Sequence, residues 1–167
     1  MRINGGDALI RTAAKTVCLA AFALGLSQCA KPEVPMSNYA YDVVITLTPA
    51  AAAKVTAAKD HIVAQAHYYG LATKASRDRA DSIGQVPLGD ANNSGDADIR
   101  KINMDFSVPT ADLSDLGEKQ AFALIVVYTT LPVGAPDDML ICTHYRGPVP
   151  GKDKPVEISC DLNPRPN

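Results

Sequence analysis

The fold is decided by residues 41–70, which have the sequence YDVVITLTPAAAAKVTAAKDHIVAQAHYYG. Apolar residues recur at every second position over Tyr41–Leu47 and again over residues 61–69, and this period of two is typical of half-buried strands. Between the strands, Thr48 suits a helix N-cap and Pro49 suits the first helical position. The stretch therefore predicts a strand, a short alanine-rich helix over residues 49–58, and a second strand.

Downstream of this stretch, strand-like segments alternate with turn-rich ones. Five further strands are predicted, over residues 83–88, 101–106, 121–130, 139–145 and 155–161. The segment 121–130 is the most apolar, so we expect it to be buried on both faces at the centre of a sheet. About seven strands without βαβ alternation predict a mainly β fold, a single antiparallel β-sandwich of the immunoglobulin or transthyretin type.

Length and composition limit the classes of function. The chain has 167 residues, which suits one domain, and its 47% hydrophobic and 20% charged residues are typical of a globular protein. The formal net charge is −2 and the sequence pI is about 5.9. Because nucleic-acid-binding proteins normally carry a basic surface, we expect no nucleic-acid partner.

Residues 1–28 have the features of an export signal peptide. Basic residues precede an apolar segment over Thr16–Leu26, which is too short to span a bilayer. Residues 29–38 contain two prolines and are expected to form a tether. The sandwich is then expected over residues 39–162, with a disordered tail over residues 163–167.

Two cleavage sites are compatible with this N-terminus. Small residues at Gly25 and Ser27 suit ordinary signal removal after Ser27, which would release a soluble periplasmic protein. Residues 26–29 (LSQC) instead resemble a bacterial lipobox, in which the chain is cut before a lipidated cysteine, although Gln28 departs from the usual small residue. The lipobox would make Cys29 the lipidation site and would hold the protein on the periplasmic side of a bacterial membrane.

The cysteines favour the lipid-anchored alternative. Of the four, Cys18 leaves with the signal peptide, while Cys142 and Cys160 lie in predicted strands on the apolar faces. We expect a structural disulfide between these two, since there is no C-x-x-C motif to indicate a redox pair. Cys29 is then left over, and a lipid on its sulfur would remove an exposed free thiol.

The clearest candidate ligand site is the stretch 90–98, with the sequence DANNSGDAD. It resembles the start of a calcium-binding loop, with oxygen ligands at alternate positions and a glycine at the turn. The candidate ligands are Asp90, Asn92, Ser94, Asp96 and Asp98, and calcium is the one cofactor considered. Lys101 occupies the position where an acidic residue should complete the shell, so an ordinary hairpin loop is the favoured alternative.

Other site signals are few. The sequence contains no motif of nucleophilic, metal-dependent or nucleotide-dependent catalysis, and we expect no enzyme activity. At the end of the second strand, His67 and Tyr69 are candidate interface residues. Aromatic side chains with a polar end are enriched at protein–protein interfaces.

Three segments resemble a group of small exported bacterial proteins. They are LTPAAAAKV at residues 47–55, YYG at 68–70 and IGQVPLG at 83–89, and the late Cys142 and Cys160 fit the same pattern. The resemblance covers most of the chain after the signal peptide. It implies export and a compact, mainly β module, and it assigns no catalytic residue. A lipid anchor, short tether and small sandwich together are also similar to accessory lipoproteins of envelope assemblies.

The sequence thus predicts a lipid-anchored, non-enzymatic binding or assembly module of the bacterial envelope, with an envelope protein as its partner. The alternative belongs to a different functional class. It is a soluble periplasmic protein that binds a divalent ion or a small ligand through residues 90–98.

Overall fold

The computed structural model describes residues 33–130 and 140–163 of the chain. From Val34 onward these residues belong to one compact unit with eight strands, two α-helices and one 3₁₀ turn. The elements in chain order are β1 (Met36–Leu47), α1 (Pro49–Ala58), β2 (His61–Leu71), the 3₁₀ turn (Arg77–Arg79), β3 (Gln85–Gly95), β4 (Lys101–Pro109), α2 (Thr110–Ser114), β5 (Gly117–Thr130), β6 (Leu140–Cys142), β7 (Tyr145–Pro148) and β8 (Val156–Leu162). The predicted mainly β class is confirmed.

Several sequence predictions concern residues outside the described ranges. These are the signal peptide over residues 1–28, the lipidation site Cys29, and the tail beyond Asn163. Within the described ranges, no helix is both long and apolar enough to cross a membrane.

Two four-stranded sheets enclose the core. The first sheet has the strand order β4-β1-β8-β6, and the second has the order β3-β2-β5-β7. One pairing among the described strands is parallel, that of β1 with β8, in which Val43 lies opposite Val156. The expectation of a purely antiparallel sandwich is therefore wrong at this pair. β8 reaches β1 by crossing over from the second sheet rather than through a hairpin, and a crossover permits a parallel neighbour.

Three strand boundaries differ from the sequence prediction. β1 begins at Met36, so residues 36–38 of the expected tether pair with β4. β3 continues to Gly95 and includes most of the stretch predicted as an ion-binding or hairpin loop. The predicted strand over 139–145 contains β6 and the first residue of β7, which lie in different sheets. The alternation of apolar and polar residues does not show where the chain passes from one sheet to the other, because strands of both sheets have the same period of two.

The helix α1 forms where the sequence predicts it. The Thr48 hydroxyl accepts a hydrogen bond from the Ala51 amide at 3.3 Å, and Lys59 in the left-handed conformation ends the helix. Ala51 and Val55 are completely buried in the core. These small side chains let the helix lie close to β1 and β8 of the first sheet.

Two tyrosines join the sheets inside the core. Tyr41 on β1 and Tyr68 on β2 are almost completely buried, and their hydroxyl oxygens are 2.9 Å apart. The Tyr68 ring also stacks on Phe106 of β4, with the ring centroids 3.9 Å apart. Burial raises the pKa of both phenols, and for Tyr41 the hydrogen bond to Tyr68 raises it further. The paired hydroxyls thus stay neutral and satisfy two polar groups that burial would otherwise leave without partners.

The predicted disulfide between Cys142 and Cys160 is confirmed. The two residues lie opposite each other in the β6–β8 pair, and Cys160 belongs to the core. The sequence separation is 18 residues. In the chain-entropy model, a bridge that closes a loop of this size stabilises the fold by about 3 kcal/mol. It holds β6, an edge strand of three residues, to its neighbour.

We expect Tyr41→Phe to lower the free energy of unfolding by about 1–3 kcal/mol, because the buried Tyr68 hydroxyl is left without a partner. The double variant Tyr41→Phe/Tyr68→Phe should cost less than the sum of the two single changes, since it removes both polar groups. Urea denaturation of the four proteins measures these differences. Strictly additive losses would show that the two hydroxyls do not interact.

Candidate functional site

The strand β5 has one buried face and one partly exposed face, although its sequence predicts burial on both. Its odd-numbered residues from 121 to 127 face the core, where Ile125 is completely buried. The even-numbered residues point away from the core and are partly exposed. They are Phe122, Leu124, Val126 and Tyr128. β5 therefore presents an apolar row on the outer side of the second sheet.

The strand β2 supplies the neighbouring row on the same side. Ile62, Ala64, Ala66 and Tyr68 face the core, and the residues between them point outward and pair with the β5 row. The outward residues are Val63, Gln65, His67 and Tyr69. We use the term outer face for these two rows together with Asp90 of β3 and Arg146 of β7.

One transverse row of the outer face crosses all four strands. Asp90 lies opposite His67, which lies opposite Leu124, and Leu124 lies opposite Arg146. The His67 Nδ1 atom and an oxygen of the Asp90 carboxylate are 2.6 Å apart, and these side chains are 41% and 58% exposed. The row therefore begins at an acidic residue on one edge strand and ends at a basic residue on the other, with His67 and Leu124 between them.

Tyr69 lies within an aromatic cluster on the outer face. Its ring stacks with those of His67 and Phe122, with centroid distances of 6.2 and 5.8 Å. The Arg146 Nε atom donates a hydrogen bond to the Tyr69 hydroxyl at 3.3 Å, so the arginine reaches over β5 to β2. Tyr69 is only 4% exposed. The two residues expected at an interface thus lie side by side, and His67 is the more accessible of the two.

The outer surface of the first sheet has a different character. On β4 it carries Lys101, Asn103, Asp105 and Ser107, all exposed. The Asp42 carboxylate on β1 accepts a hydrogen bond from Asn103 at 3.3 Å and lies 3.2 Å from the Lys101 ammonium. The hydrogen bond from Asn103 and the contact with Lys101 lower the pKa of Asp42. The outer surface of the first sheet is thus polar along β4 and at Asp42 and carries the exposed Ile141 on β6, while the second sheet is apolar at its centre.

The expected ion ligands are not gathered in a loop. Asp90, Asn92 and Ser94 occupy alternate positions of the extended strand β3, while Asp96 and Asp98 follow it in the connection to β4. A strand rises about 3.4 Å per residue, so the α-carbons of Asp90 and Ser94 are about 13 Å apart. Residues 90–95 are not part of a hairpin loop either, because they pair with β2, whereas Asp96 and Asp98 lie in the turn between β3 and β4. Among residues 33–130 and 140–163, no three His, Cys, Asp or Glu side chains are grouped closely enough to hold a metal ion.

Two open clefts of about 430 Å³ each border β6. One is lined by Val126 and Tyr128 of β5 together with His144. The other lies beside the disulfide, where the Thr48 hydroxyl donates a hydrogen bond to Asp161 at 2.7 Å. This bond lowers the pKa of Asp161. Because the same hydroxyl caps α1, the position of the Thr48 side chain is explained by the fold.

No known protein family, curated protein or solved structure matches this chain. Its function must therefore be inferred from its own residues, and the outer face is the surface with the most distinctive chemistry among the described residues.

Sequence reasoning identifies His67 and Tyr69 on the outer face but misses the β5 row and Arg146. The reason is that residues 121–130 are apolar at both alternating sets of positions, so the pattern does not show which set faces the core. One signal was present: inward positions 121 and 123 are alanines, whereas outward positions 122 and 124 are Phe and Leu. Small residues on one side of a strand indicate that a large side chain packs against that side.

Adjacent positions of β5 provide a test of the two faces. Ile125→Ala should lower the free energy of unfolding by about 2–5 kcal/mol, because it leaves a cavity in the core. Leu124→Ala should cost less than about 1 kcal/mol, because the side chain is already partly exposed. Urea denaturation at low protein concentration measures both. A similar loss for the two variants would show that the outer face is covered within the folded chain.

Proposed function

We propose that this protein is an exported, lipid-anchored module of the bacterial cell envelope that works by binding a macromolecular partner through the outer face. The observation that carries the proposal is the difference between the two broad surfaces. Along β4 and at Asp42 the first sheet is polar outside, with Ile141 exposed on its edge strand β6, whereas the second sheet has an apolar centre between edge strands that carry Asp90 and Arg146. The apolar residues of the second sheet are partly exposed on β5, while Val63 and Tyr69 of β2 are almost covered, and contiguous apolar surface of this kind is a candidate site of association.

Binding, rather than catalysis, fits the polar groups of this face. His67 is engaged with Asp90, and Arg146 is engaged with the Tyr69 hydroxyl. Neither pair includes a serine, threonine or cysteine that a histidine could activate as a nucleophile. The groups are arranged along one side of a sheet rather than within a cavity, which suits contact with another macromolecule better than enclosure of a small substrate.

Export and anchoring are supported by the N-terminal sequence and the disulfide. Residues 1–28 have the order of charged, apolar and small residues that signal peptides share. The Cys142–Cys160 bridge is the kind of bond that persists in oxidising compartments. Since β1 begins at Met36, the seven residues from Cys29 span at most about 25 Å. A lipid on Cys29 would therefore keep the sandwich close to the membrane surface.

The fold type is also a proposal. We propose a transthyretin-like rather than an immunoglobulin-like sandwich. An immunoglobulin sandwich keeps its first two strands in one sheet. In this protein β1 and β2 lie in different sheets, which supports the transthyretin-like alternative.

Metabolic labelling with a palmitate analogue tests the anchor. We expect label on the full-length chain produced in a bacterium, and we expect Cys29→Ala to lose both the label and the membrane association. Cys18→Ala is the matched control and should retain both, because Cys18 lies within the signal peptide. Label that persists in Cys29→Ala would contradict lipidation at this residue.

Photo-crosslinking tests the binding surface. We expect p-benzoylphenylalanine in place of Val126, on the outer face, to form a covalent adduct with another macromolecule in illuminated membranes. The same group in place of Asp105, on the polar surface of the first sheet, serves as the control and should form none. Absence of adducts from position 126, or equal adducts from both positions, would contradict the proposed binding surface.

A further inference from the structure

We propose that the partner of the outer face is a second copy of this chain, in a two-fold dimer with the two second sheets packed face to face. The proposal rests on the function proposed above and adds the identity of the partner. The order of acidic and basic residues across the outer face supports it, and the lipid anchor proposed above then selects the direction of the two-fold axis.

The charges are arranged so that the outer face complements itself. Asp90 and Arg146 lie in the same transverse row, on the opposite edge strands β3 and β7. If a two-fold axis runs parallel to the strands, β3 of each copy lies over β7 of the other. Asp90 of each copy then lies opposite Arg146 of the other, and an arginine that turns from the Tyr69 hydroxyl of its own chain to this carboxylate gives two identical ion pairs, as an isologous interface requires.

The apolar rows fall at the centre of the same arrangement. β2 of each copy lies over β5 of the other, so Leu124 faces His67 across the interface, while Tyr69 stays almost completely covered by its own chain. Aligned sheets pack face to face in this way inside β-sandwiches, about 10 Å apart. An apolar and aromatic centre with charged residues at the edges is also the usual composition of a protein interface.

The available area sets the expected strength of the dimer. Three strands about 4.8 Å apart with rows of about seven residues, together with the four residues of β7, give about 400 Å² per copy. The total of about 800 Å² lies below the ~1,000 Å² of a specific, stable interface. We therefore expect weak association in free solution. Lipid anchors that confine both copies to one membrane would raise their effective concentration and favour the dimer.

The position of the tether selects the same axis. A two-fold axis parallel to the strands leaves both copies pointing in the same direction, so Met36, the first residue of β1, lies at the same end of each. Both lipid anchors can then enter one membrane. An axis perpendicular to the strands would send the anchors to opposite ends. With the transverse rows aligned, it would also place Asp90 of one copy over Asp90 of the other, which is electrostatically unfavourable.

A charge exchange between two tagged copies tests the dimer. Two full-length copies with different C-terminal tags are expressed together, with p-benzoylphenylalanine in place of Val126 in one of them, and we expect an adduct that carries both tags.

Asp90→Arg in both copies, or Arg146→Asp in both, brings like charges together and should lower the adduct yield at least ~10-fold. Asp90→Arg in one copy with Arg146→Asp in the other restores both ion pairs and should restore the yield. This restoration also shows that both variants fold.

The possible outcomes separate the two proposals. An adduct with a different protein, carrying a single tag, would overturn the dimer and leave the proposed binding function in place. Absence of any adduct from position 126 would overturn both. A doubly tagged adduct that is insensitive to the charge changes, or that the mixed variants fail to restore, would overturn the charge-matched dimer.

Discussion

The hydrogen bond between Tyr41 and Tyr68 connects one strand of each sheet inside the core. Because the side chains of a strand alternate between its two sides, an inward Tyr68 fixes His67 and Tyr69 on the outer side of β2. If β2 shifted by one residue in its pairing with the neighbouring strands, its inward and outward residues would change places. A histidine would then be buried in place of Tyr68. The outer face therefore depends on an interaction made on the opposite side of the same sheet.

The aromatic core also explains why the large side chains of β5 lie outside. Tyr41, Tyr68 and Phe106 fill the space between the sheets, and the β5 positions that face this space include Ala121 and Ala123. Protein interiors are packed at nearly constant density, so large residues on one side of a core require small ones opposite them. The apolar bulk of β5 is consequently carried by its outward residues, and the open side of the second sheet becomes apolar.

The sequence predicts local elements well where a local signal specifies them. The helix over 49–58 has an N-cap and an N-terminal proline, and it forms with the predicted bounds. The cysteine pair was deducible from counting and from the faces of the predicted strands. Predictions were wrong where a signal has two structural meanings. The stretch 90–95 is rich in turn-forming residues, but it pairs with β2 as an extended strand, because backbone pairing with a central strand outweighs the weak preferences of individual residues.

The sequence by itself determined that this chain is mainly β, that one short helix follows the first long strand, and that Cys142 and Cys160 are suited to pair. Side-chain periodicity and helix capping depend only on residues that are close in the sequence, and the number of cysteines can be read without a structure. Only the tertiary structure decided that β1 and β8 are parallel neighbours, and that Asp90, His67, Leu124 and Arg146 form one row. Such facts depend on which strands meet and in which register. Packing across the core fixes both, and alternation within a single strand is compatible with many registers.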